Sequence, residues 1–291
     1  MAEKRLVFNV NGCNMLDGKA RTMVTISGVL RLIRPMNCLV MGFAIVVGAI
    51  LTGYSNLQWQ NLFYGAITAF TLTAAAMSVN DYYDFKIDRI NEPKRPIPSG
   101  AVSLKAALLV TCFLTATGLI FAYLVSTFCL IFSVAAWLIM ATYSTIGKRS
   151  GLAGNFLVSA CVAAPFLYGS LVAVNMIKLN VLLFASMAFL SNTGREISKG
   201  IVDVQGDRSY NIRTLAVRFG DRRAALAAAF FFVMAVCLSP VPIVLGLVSL
   251  WFVPFVLVTD IGLIWCSLSL LRNPSRTNAR RIKKVVLFLF V

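Results

Sequence analysis

The residues best suited to chemistry are carboxylates that recur at helical spacing in two segments. The first segment reads NDYYDFKID. Asn80, Asp84 and Asp88 fall at i, i+4 and i+8, and Asp81 precedes the last two by three and seven residues, so all four share one helical face. Four oxygen-bearing side chains on one face repel each other unless a cation neutralises them. An all-oxygen set favours Mg²⁺ over Zn²⁺.

The second segment reads REISKGIVDVQGD. It places Arg195, Lys199, Asp203 and Asp207 on one helical face, with the cations in the first half and the carboxylates in the second. A ladder of i,i+4 ion pairs on a solvated helix is the simpler interpretation, and such pairs contribute only about 0.3–0.5 kcal/mol each. The ladder directly follows an apolar span, however, and ionisable groups at membrane depth are typically functional.

Together the two segments predict a site for a polyanion bridged by divalent cations. Two Mg²⁺ ions would be bridged by a diphosphate, which leaves more easily when its negative charge is stabilised. An apolar wall towards the bilayer suits a long hydrocarbon tail, so the expected donor is a polyprenyl diphosphate. The predicted metal ligands are Asn80, Asp81, Asp84, Asp88, Asp203 and Asp207. The predicted diphosphate-binding cations are Arg95, Lys148, Arg149, Arg195 and Lys199.

Composition predicts that these segments sit at the ends of membrane-spanning helices. Of 291 residues, 59% are hydrophobic and 13% are charged, whereas soluble domains carry about 25% charged residues. Apolar runs approach the length of roughly 20 residues that crosses the hydrocarbon core, and no alternating pattern suggests a β-barrel. We therefore expect an all-α, multi-pass bundle. The predicted spans are Val29–Leu51, Leu62–Val79, Ala101–Leu124, Thr127–Tyr143, Leu152–Val174, Leu179–Leu190, Ala224–Cys237 and Val244–Leu271.

The distribution of cations predicts the orientation in the membrane. All of the 27 Lys and Arg residues except Lys178 fall in the N-terminal region or in loops that alternate spanning would place on the same side. The positive-inside rule assigns that side to the cytoplasm, together with residues 1–23 and both acidic segments. A net charge of +16 then attracts membrane lipids and polyanionic substrates. Nucleic-acid binding is not expected, because the cations are divided among short loops between spans.

Several other classes of site are disfavoured by residue usage. The chain has no His, which argues against zinc centres and His-based acid–base catalysis. Six of its seven Cys lie in apolar spans, where Cys acts as a small hydrophobic residue. The first 24 residues are mixed polar, so no cleavable signal peptide is expected.

The two acidic segments also carry a family resemblance. NDYYDFKID with RINEPKRPIPSG resembles the first motif, NDxxDxxxD, of the UbiA-type intramembrane prenyltransferases. REISKGIVDVQGD resembles their second motif, YxxxKxxxDxxxD, with Arg195 where many members have Tyr. The stretch YSTIGKR, from Tyr143 to Arg149, is similar to a further family feature. The resemblance extends from about Arg34 to Arg218.

The resemblance implies nine transmembrane helices around a central cavity, whose cytoplasmic mouth is capped by the motif loops 80–100 and 195–217. It implies Mg²⁺-dependent prenyl transfer with Asp84, Asp88, Lys199, Asp203 and Asp207 as catalytic residues and Tyr143 beside the diphosphate. The archaeal members that add a second geranylgeranyl chain to the hydroxyl of geranylgeranylglyceryl phosphate are the most similar branch. An aromatic acceptor, such as a quinone or tetrapyrrole precursor, is the alternative; a secondary transporter and a lipid-binding scaffold are more distant ones.

Smaller signals complete the sequence-based picture. Residues 24–291 are expected to form one domain, with a suggested pseudo-repeat of four-helix units. The final stretch, Arg280–Val291, is too short to cross a bilayer, since its apolar part spans only about 10 Å. Arg34 and Asn37 could enter the site or simply anchor the first helix at the interface. Asn155 could face the mouth of the site, and Asp260 could either line the cavity or be an externally hydrated carboxyl group.

Overall fold

A computed structural model describes residues 25–53, 55–209 and 212–289 of the chain. These residues are overwhelmingly helical and contain no β-sheet. Eleven α-helices have at least five residues. They are α1 (Ile26–Ile33), α2 (Pro35–Ile50), α3 (Trp59–Asn91), α4 (Leu104–Val125), α5 (Thr127–Thr145), α6 (Leu152–Val174), α7 (Leu179–Ser209), α8 (Leu215–Phe219), α9 (Asp221–Leu238), α10 (Val253–Arg272) and α11 (Arg276–Leu289).

Three shorter helical segments connect the longer ones. Gly147–Ser150 is a 3-10 turn between α5 and α6, and Val241–Val244 is one α-helical turn after α9. Leu250–Phe252 is a second 3-10 turn, which leads into α10.

Six helical stretches in the described part of the chain are long and apolar enough to cross a membrane. They comprise α3, α4, α5, α6, α9 with the turn that follows it, and α10 with the turn before it. The bent pair α1–α2 makes a seventh if it counts as one span. Every predicted span coincides with a helix or with such a pair. The helix α7 is not among the six candidate spans, because its second half is polar.

The expectation of about nine helices is wrong, because the described residues hold eleven. One extra helix arises at Arg34, whose positive φ of 52° separates α1 from α2, and the two helices meet at 45°. The following Pro35 disfavours a helical conformation at Arg34, which explains the break. The other extra helix is α8, a five-residue segment capped by the Thr214 hydroxyl.

The helices that carry the two acidic segments are the longest. α3 has 33 residues and α7 has 31, or roughly 50 and 46 Å at 1.5 Å per residue. Each exceeds the roughly 30 Å of hydrocarbon, so its polar C-terminal half can extend beyond the apolar layer. Both acidic segments lie in these C-terminal halves.

The last helix, α11, is short, as the sequence predicts, but it begins at Arg276 rather than at residue 280. Its 14 residues span about 21 Å. Ala279, Ile282 and Val286 form a fully buried stripe on one side. This stripe belongs to a core cluster that also contains residues of α7, α9 and α10, so α11 packs laterally on the bundle.

Candidate active site

In the first motif, the carboxylates of α3 are partly occupied by arginines from other segments. The Arg34 guanidinium lies 2.6 Å from Asp81. Arg95 lies 2.6 Å from Asp88 and 3.5 Å from Asp81. The side chains of Asp81 and Asp88 are only 1% and 6% exposed. Both arginines therefore compensate carboxylates that would otherwise be buried without a counter-charge, which is costly.

Local folding explains why Arg95 reaches these carboxylates. After α3 the chain makes consecutive turns, in which the Arg95 amide bonds to the Glu92 carbonyl oxygen and the Ser99 amide bonds to the Arg95 carbonyl oxygen. Ile97 and Val102 are buried in a cluster with Leu32 of α1. The apolar side chains thus anchor the PKRPIPSG loop and hold Arg95 over the end of α3.

The remaining groups of the first motif suit a hard cation. Asn80 donates a hydrogen bond of 3.1 Å to Asp84, which orients that carboxylate on the same helical face. The second oxygen of Asp81 is buried and has no hydrogen-bond partner. A buried carboxylate oxygen in this state favours a cation ligand. The donor set is oxygen only, so the residues present fit Mg²⁺.

In the second motif, Glu196 is the residue that organises the cations. Its carboxylate lies 2.6 Å from Arg195 and 3.2 Å from Lys199, and the residue is only 8% exposed. The sequence interpretation omitted Glu196 because it lies off the Arg195–Asp207 ladder. A carboxylate placed one and three residues from two cations, directly after an apolar span, was the signal that could have identified it.

Farther along α7, Asp203 and Asp207 remain close enough to interact electrostatically. The Thr214 hydroxyl lies within interaction range of the Asp207 carboxylate, so the end of α7 lies beside the start of α8. Asp207 lies well beyond the apolar part of α7. Burial, reinforced by the negative charge of Asp203, raises the pKa of Asp207 to about 6, although Lys199 partly offsets the rise.

Tyr143 connects the two motifs. Its phenol on α5 lies within electrostatic range of Lys199 and Glu196 on α7 and of Asp84 on α3. The structure therefore brings together three of the predicted residues: Tyr143, Lys199 and Asp84. Cys161 of α6 also lies within electrostatic range of this phenol.

An apolar cavity lies between α5, α6 and α7, adjacent to this polar group. Its volume is about 460 Å³. Cys161 lines it, so the Tyr143 phenol lies near the side of the cavity that Cys161 forms. Most of its other lining residues are apolar: Phe132, Ala135, Ile139, Ala164, Leu182 and Phe189 among them.

The other predicted residues lie outside this group. Asn37 is exposed, whereas Asn155 is partly buried. Lys148 and Arg149 lie in the 3-10 turn Gly147–Ser150, and their side chains are outside the described ones, as is the predicted N-terminal segment 1–23. Asp260 accepts a hydrogen bond of 2.6 Å from Ser239, at the end of α9 remote from the motifs.

The turn that carries Lys148 and Arg149 is nevertheless held against the second motif. Gly151 follows it with φ of 66°, a conformation that L side chains rarely adopt. A β-carbon at residue 151 would collide with the Arg213 carbonyl oxygen. Gly151 therefore allows the turn to contact the loop that follows α7.

No three Asp, Glu or Cys side chains in the described ranges lie close enough together to hold a metal ion on their own. The carboxylates instead come in small groups on α3 and on α7. Mg²⁺ is usually bound by one or two carboxylates together with substrate phosphates and water. The arrangement is therefore consistent with ions that bind together with a phosphorylated substrate.

Comparison with known proteins identifies the family. Residues 41–291 match the UbiA prenyltransferase family. The chain belongs to this family. The digeranylgeranylglyceryl phosphate synthase of Archaeoglobus fulgidus is 37% identical over 266 residues, which cover 89% of this chain and 90% of that protein. The resemblance to the family, and to this archaeal branch, is confirmed, and the chain is an integral membrane protein of the prenyltransferase class.

Solved structures support the same fold. A structure of a digeranylgeranylglyceryl phosphate synthase is 27% identical and superposes with a TM-score of 0.77, covering 91% of this chain and 96% of that chain. A UbiA homologue from Archaeoglobus fulgidus, bound to GPP and Mg²⁺, is 17% identical with a TM-score of 0.65, covering 90% of this chain and 96% of that one. At that identity the second match shows the fold alone.

Proposed function

We propose that this UbiA-family member transfers a geranylgeranyl group from geranylgeranyl diphosphate to the hydroxyl of geranylgeranylglyceryl phosphate, with Mg²⁺ as cofactor. The observation that carries the proposal is that Asp84 and Lys199 both lie within electrostatic range of Tyr143, beside an apolar cavity that Cys161 lines. The 37% identity to a digeranylgeranylglyceryl phosphate synthase supports the acceptor. The Mg²⁺ and GPP bound by a UbiA homologue of the same fold support the cofactor and the donor class.

The proposed metal ligands are the carboxylates and amide of both motifs. Asn80, Asp81, Asp84 and Asp88 would supply ligands from α3, and Asp203 and Asp207 would supply ligands from α7, with substrate phosphate and water completing the coordination. Bound Mg²⁺ supplies positive charge that stabilises the diphosphate leaving group. The partnerless oxygen of Asp81 and the proximity of Asp203 to Asp207 support this assignment.

The chain's cations would bind the remaining diphosphate oxygens. Lys199 and Arg195 are held by Glu196 on α7, and Arg95 is held over α3. Lys148 and Arg149 complete the proposed set, because their turn contacts the loop after α7. Charge-assisted hydrogen bonds from these groups would stabilise the negative charge that develops on the leaving oxygen.

The chemical step breaks the bond between C1 of the prenyl group and the diphosphate oxygen, and the electron pair leaves with the diphosphate. The acceptor hydroxyl oxygen forms the new bond to C1. Its proton passes to a motif carboxylate or to the departing diphosphate. The apolar walls of the cavity between α5, α6 and α7 would hold the prenyl chain and exclude water from the reacting carbon.

The distribution of cations supports placing the N-terminus and both motif loops on the cytoplasmic side. This orientation would give the site access to water-borne Mg²⁺ and to the charged head of the donor, while the chain enters from the bilayer.

Transfer can be tested with purified protein in lipid nanodiscs, labelled geranylgeranyl diphosphate and a panel of acceptors. We expect Mg²⁺-dependent transfer to geranylgeranylglyceryl phosphate and not to aromatic quinone or tetrapyrrole precursors. Asp84→Asn should lower the rate by at least about 100-fold, since even residues that support a metal ligand contribute about 10- to 100-fold. Asp221→Asn, an exposed carboxylate on α9, is the control. Full Mg²⁺-dependent transfer by Asp84→Asn would disprove the mechanism.

A further inference from the structure

The C-terminal helix α11 presents a lysine to the second motif. Ile282 and Val286 are fully buried in the cluster that contains Ile197 and Ile201 of α7. Lys283 directly follows Ile282 and is partly buried. It therefore lies at the edge of the α7–α11 contact, whereas the neighbouring Lys284 is exposed.

The register between α11 and α7 shows where Lys283 lies along the motif. Arg276 donates a hydrogen bond of 3.3 Å to Gln205, between the two motif aspartates. Lys283 is two helical turns farther on, about 10.5 Å along α11, and it interacts electrostatically with Lys199 and Arg195. Residue numbers thus rise along α11 as they fall along α7, so the helices are antiparallel and Lys283 lies beside the cationic half of the ladder.

The charges around Lys283 favour an anion. Asp203 and Glu196 are the carboxylates within electrostatic range, and Glu196 already binds both Arg195 and Lys199. Among the residues that the structure describes, Lys283 forms no ion pair with any carboxylate. Burial, together with the positive charge of Lys199, lowers the pKa of Lys283. A bound anion would offset both the burial of the Lys283 ammonium group and its repulsion by Lys199.

The direction of approach distinguishes this anion from the donor diphosphate. The prenyl cavity lies between α5, α6 and α7. α11 packs on α7 and α10, and its buried stripe shares a cluster with α9. Lys283 therefore reaches the ladder from the side of α9 and α10. A second substrate, bound on that side of α7, would place its own phosphate beside Lys283.

We infer that Lys283 binds the phosphate monoester of the lipid acceptor and so selects a phosphorylated acceptor over a neutral one. This inference rests on the proposed function, because it requires an acceptor that carries both a hydroxyl and a phosphate. Lys283 is a substrate-binding residue in this assignment. It takes no part in breaking the bond to the diphosphate.

The kinetic test compares Lys283→Gln with Lys284→Gln, an adjacent cation of the same type that is exposed. For Lys283→Gln we expect a KM for geranylgeranylglyceryl phosphate raised about tenfold, which corresponds to the loss of one charge-assisted hydrogen bond. The KM for geranylgeranyl diphosphate should not change, and neither should the rate with geranylgeranylglycerol, which lacks the phosphate. Lys283→Arg should restore most of the acceptor affinity. Lys284→Gln should behave as the wild type.

Two kinetic outcomes would overturn the inference. An equal rise in the donor KM would place Lys283 at the diphosphate. An equal effect of Lys284→Gln would make Lys283 one of several membrane-surface charges that attract anionic lipids.

A binding measurement without donor separates this inference from the proposed function. Geranylgeranylglyceryl phosphate is titrated into wild type and Lys283→Gln, and the shift in apparent melting temperature is recorded. A wild-type protein that binds this lipid through Lys283 but does not prenylate it would contradict the proposed function alone. Indistinguishable binding curves for the two proteins would contradict the inference, whatever the transfer assay shows.

Discussion

Replacing Arg95 by Ala tests whether the first motif is held together by its arginines. Arg95 lies 2.6 Å from Asp88 and 3.5 Å from Asp81, and its own side chain is 32% exposed. A charge-assisted hydrogen bond contributes about 1.5–3 kcal/mol, and exposure favours the lower end of this range. The weaker contact to Asp81 adds little, because Arg34 also binds that carboxylate. We expect Arg95→Ala to lower the free energy of unfolding by about 1.5 kcal/mol.

On the scaling for domains of 150–250 residues, this loss corresponds to an apparent melting temperature about 3–6 °C lower. Lys94→Ala is the matched control, since Lys94 is the adjacent cation and is exposed; it should stay within about 1 °C. Arg95→Lys should be intermediate, because an ammonium group lacks the planar fork that can meet two carboxylates. Thermal unfolding in detergent micelles, followed by intrinsic fluorescence, gives the measurement.

The response to Mg²⁺ gives the same experiment a second readout. Without Arg95, Asp88 and Asp81 carry more uncompensated negative charge, so added Mg²⁺ should stabilise Arg95→Ala more than the wild type. Equal melting temperatures for Arg95→Ala and Lys94→Ala, with equal responses to Mg²⁺, would refute the reasoning that Arg95 neutralises these carboxylates.

Two further substitutions probe the second motif and the turn beside it. Glu196→Gln should lower kcat/KM for the donor about tenfold, because Arg195 and Lys199 lose their shared counter-charge. The control is Glu92→Gln, at an exposed carboxylate, which should stay within about twofold of the wild type in the same assay. Equal effects of the two substitutions would contradict the role given to Glu196. Gly151→Ala should destabilise the protein by about 1–3 kcal/mol in denaturation assays, through its positive φ and the collision with Arg213. The control is Gly246→Ala, because Gly246 has a similar positive φ of 65° but a β-carbon there would meet nothing within 4 Å. Its loss of stability should be smaller, and the difference measures the cost of the collision at residue 151. Equal losses would argue against that collision.

Much of the fold could be predicted because it depends on local properties. Apolar runs of roughly 20 residues identify spans whatever their neighbours are, and the spacing of Asp81, Asp84 and Asp88 places them on one face of α3 from helical geometry alone. The apolar run Val29–Leu51 crosses the break at Arg34, but the amphipathic stretch Thr25–Arg34 and the following Pro35 indicate that the first span begins there. The helix α8 has only five residues, too few for periodicity to reveal.

The pairing of charges could not be predicted, because it depends on contacts between distant residues. Arg34 and Asp81 are 47 residues apart, and nothing in either local sequence selects the other. Glu196 lies off the series of i+4 steps that starts at Arg195, so helical spacing alone does not select it. The sequence does not distinguish Lys283 from the other cations, because its position beside the second motif depends on how α11 packs on α7.

The contact between Arg34 and Asp81 has a consequence for how the chain enters the bilayer. Arg34 precedes Asp81 by 47 residues, so during synthesis the guanidinium emerges first. Asp81 lies in the polar half of α3 and need not cross the apolar layer, but a carboxylate buried without a counter-charge is costly. Because the guanidinium is already in place, α3 can dock against α2 with Asp81 neutralised as soon as it inserts. The same ion pair that shapes the finished site would then favour the pairing of its longest helix with the first span.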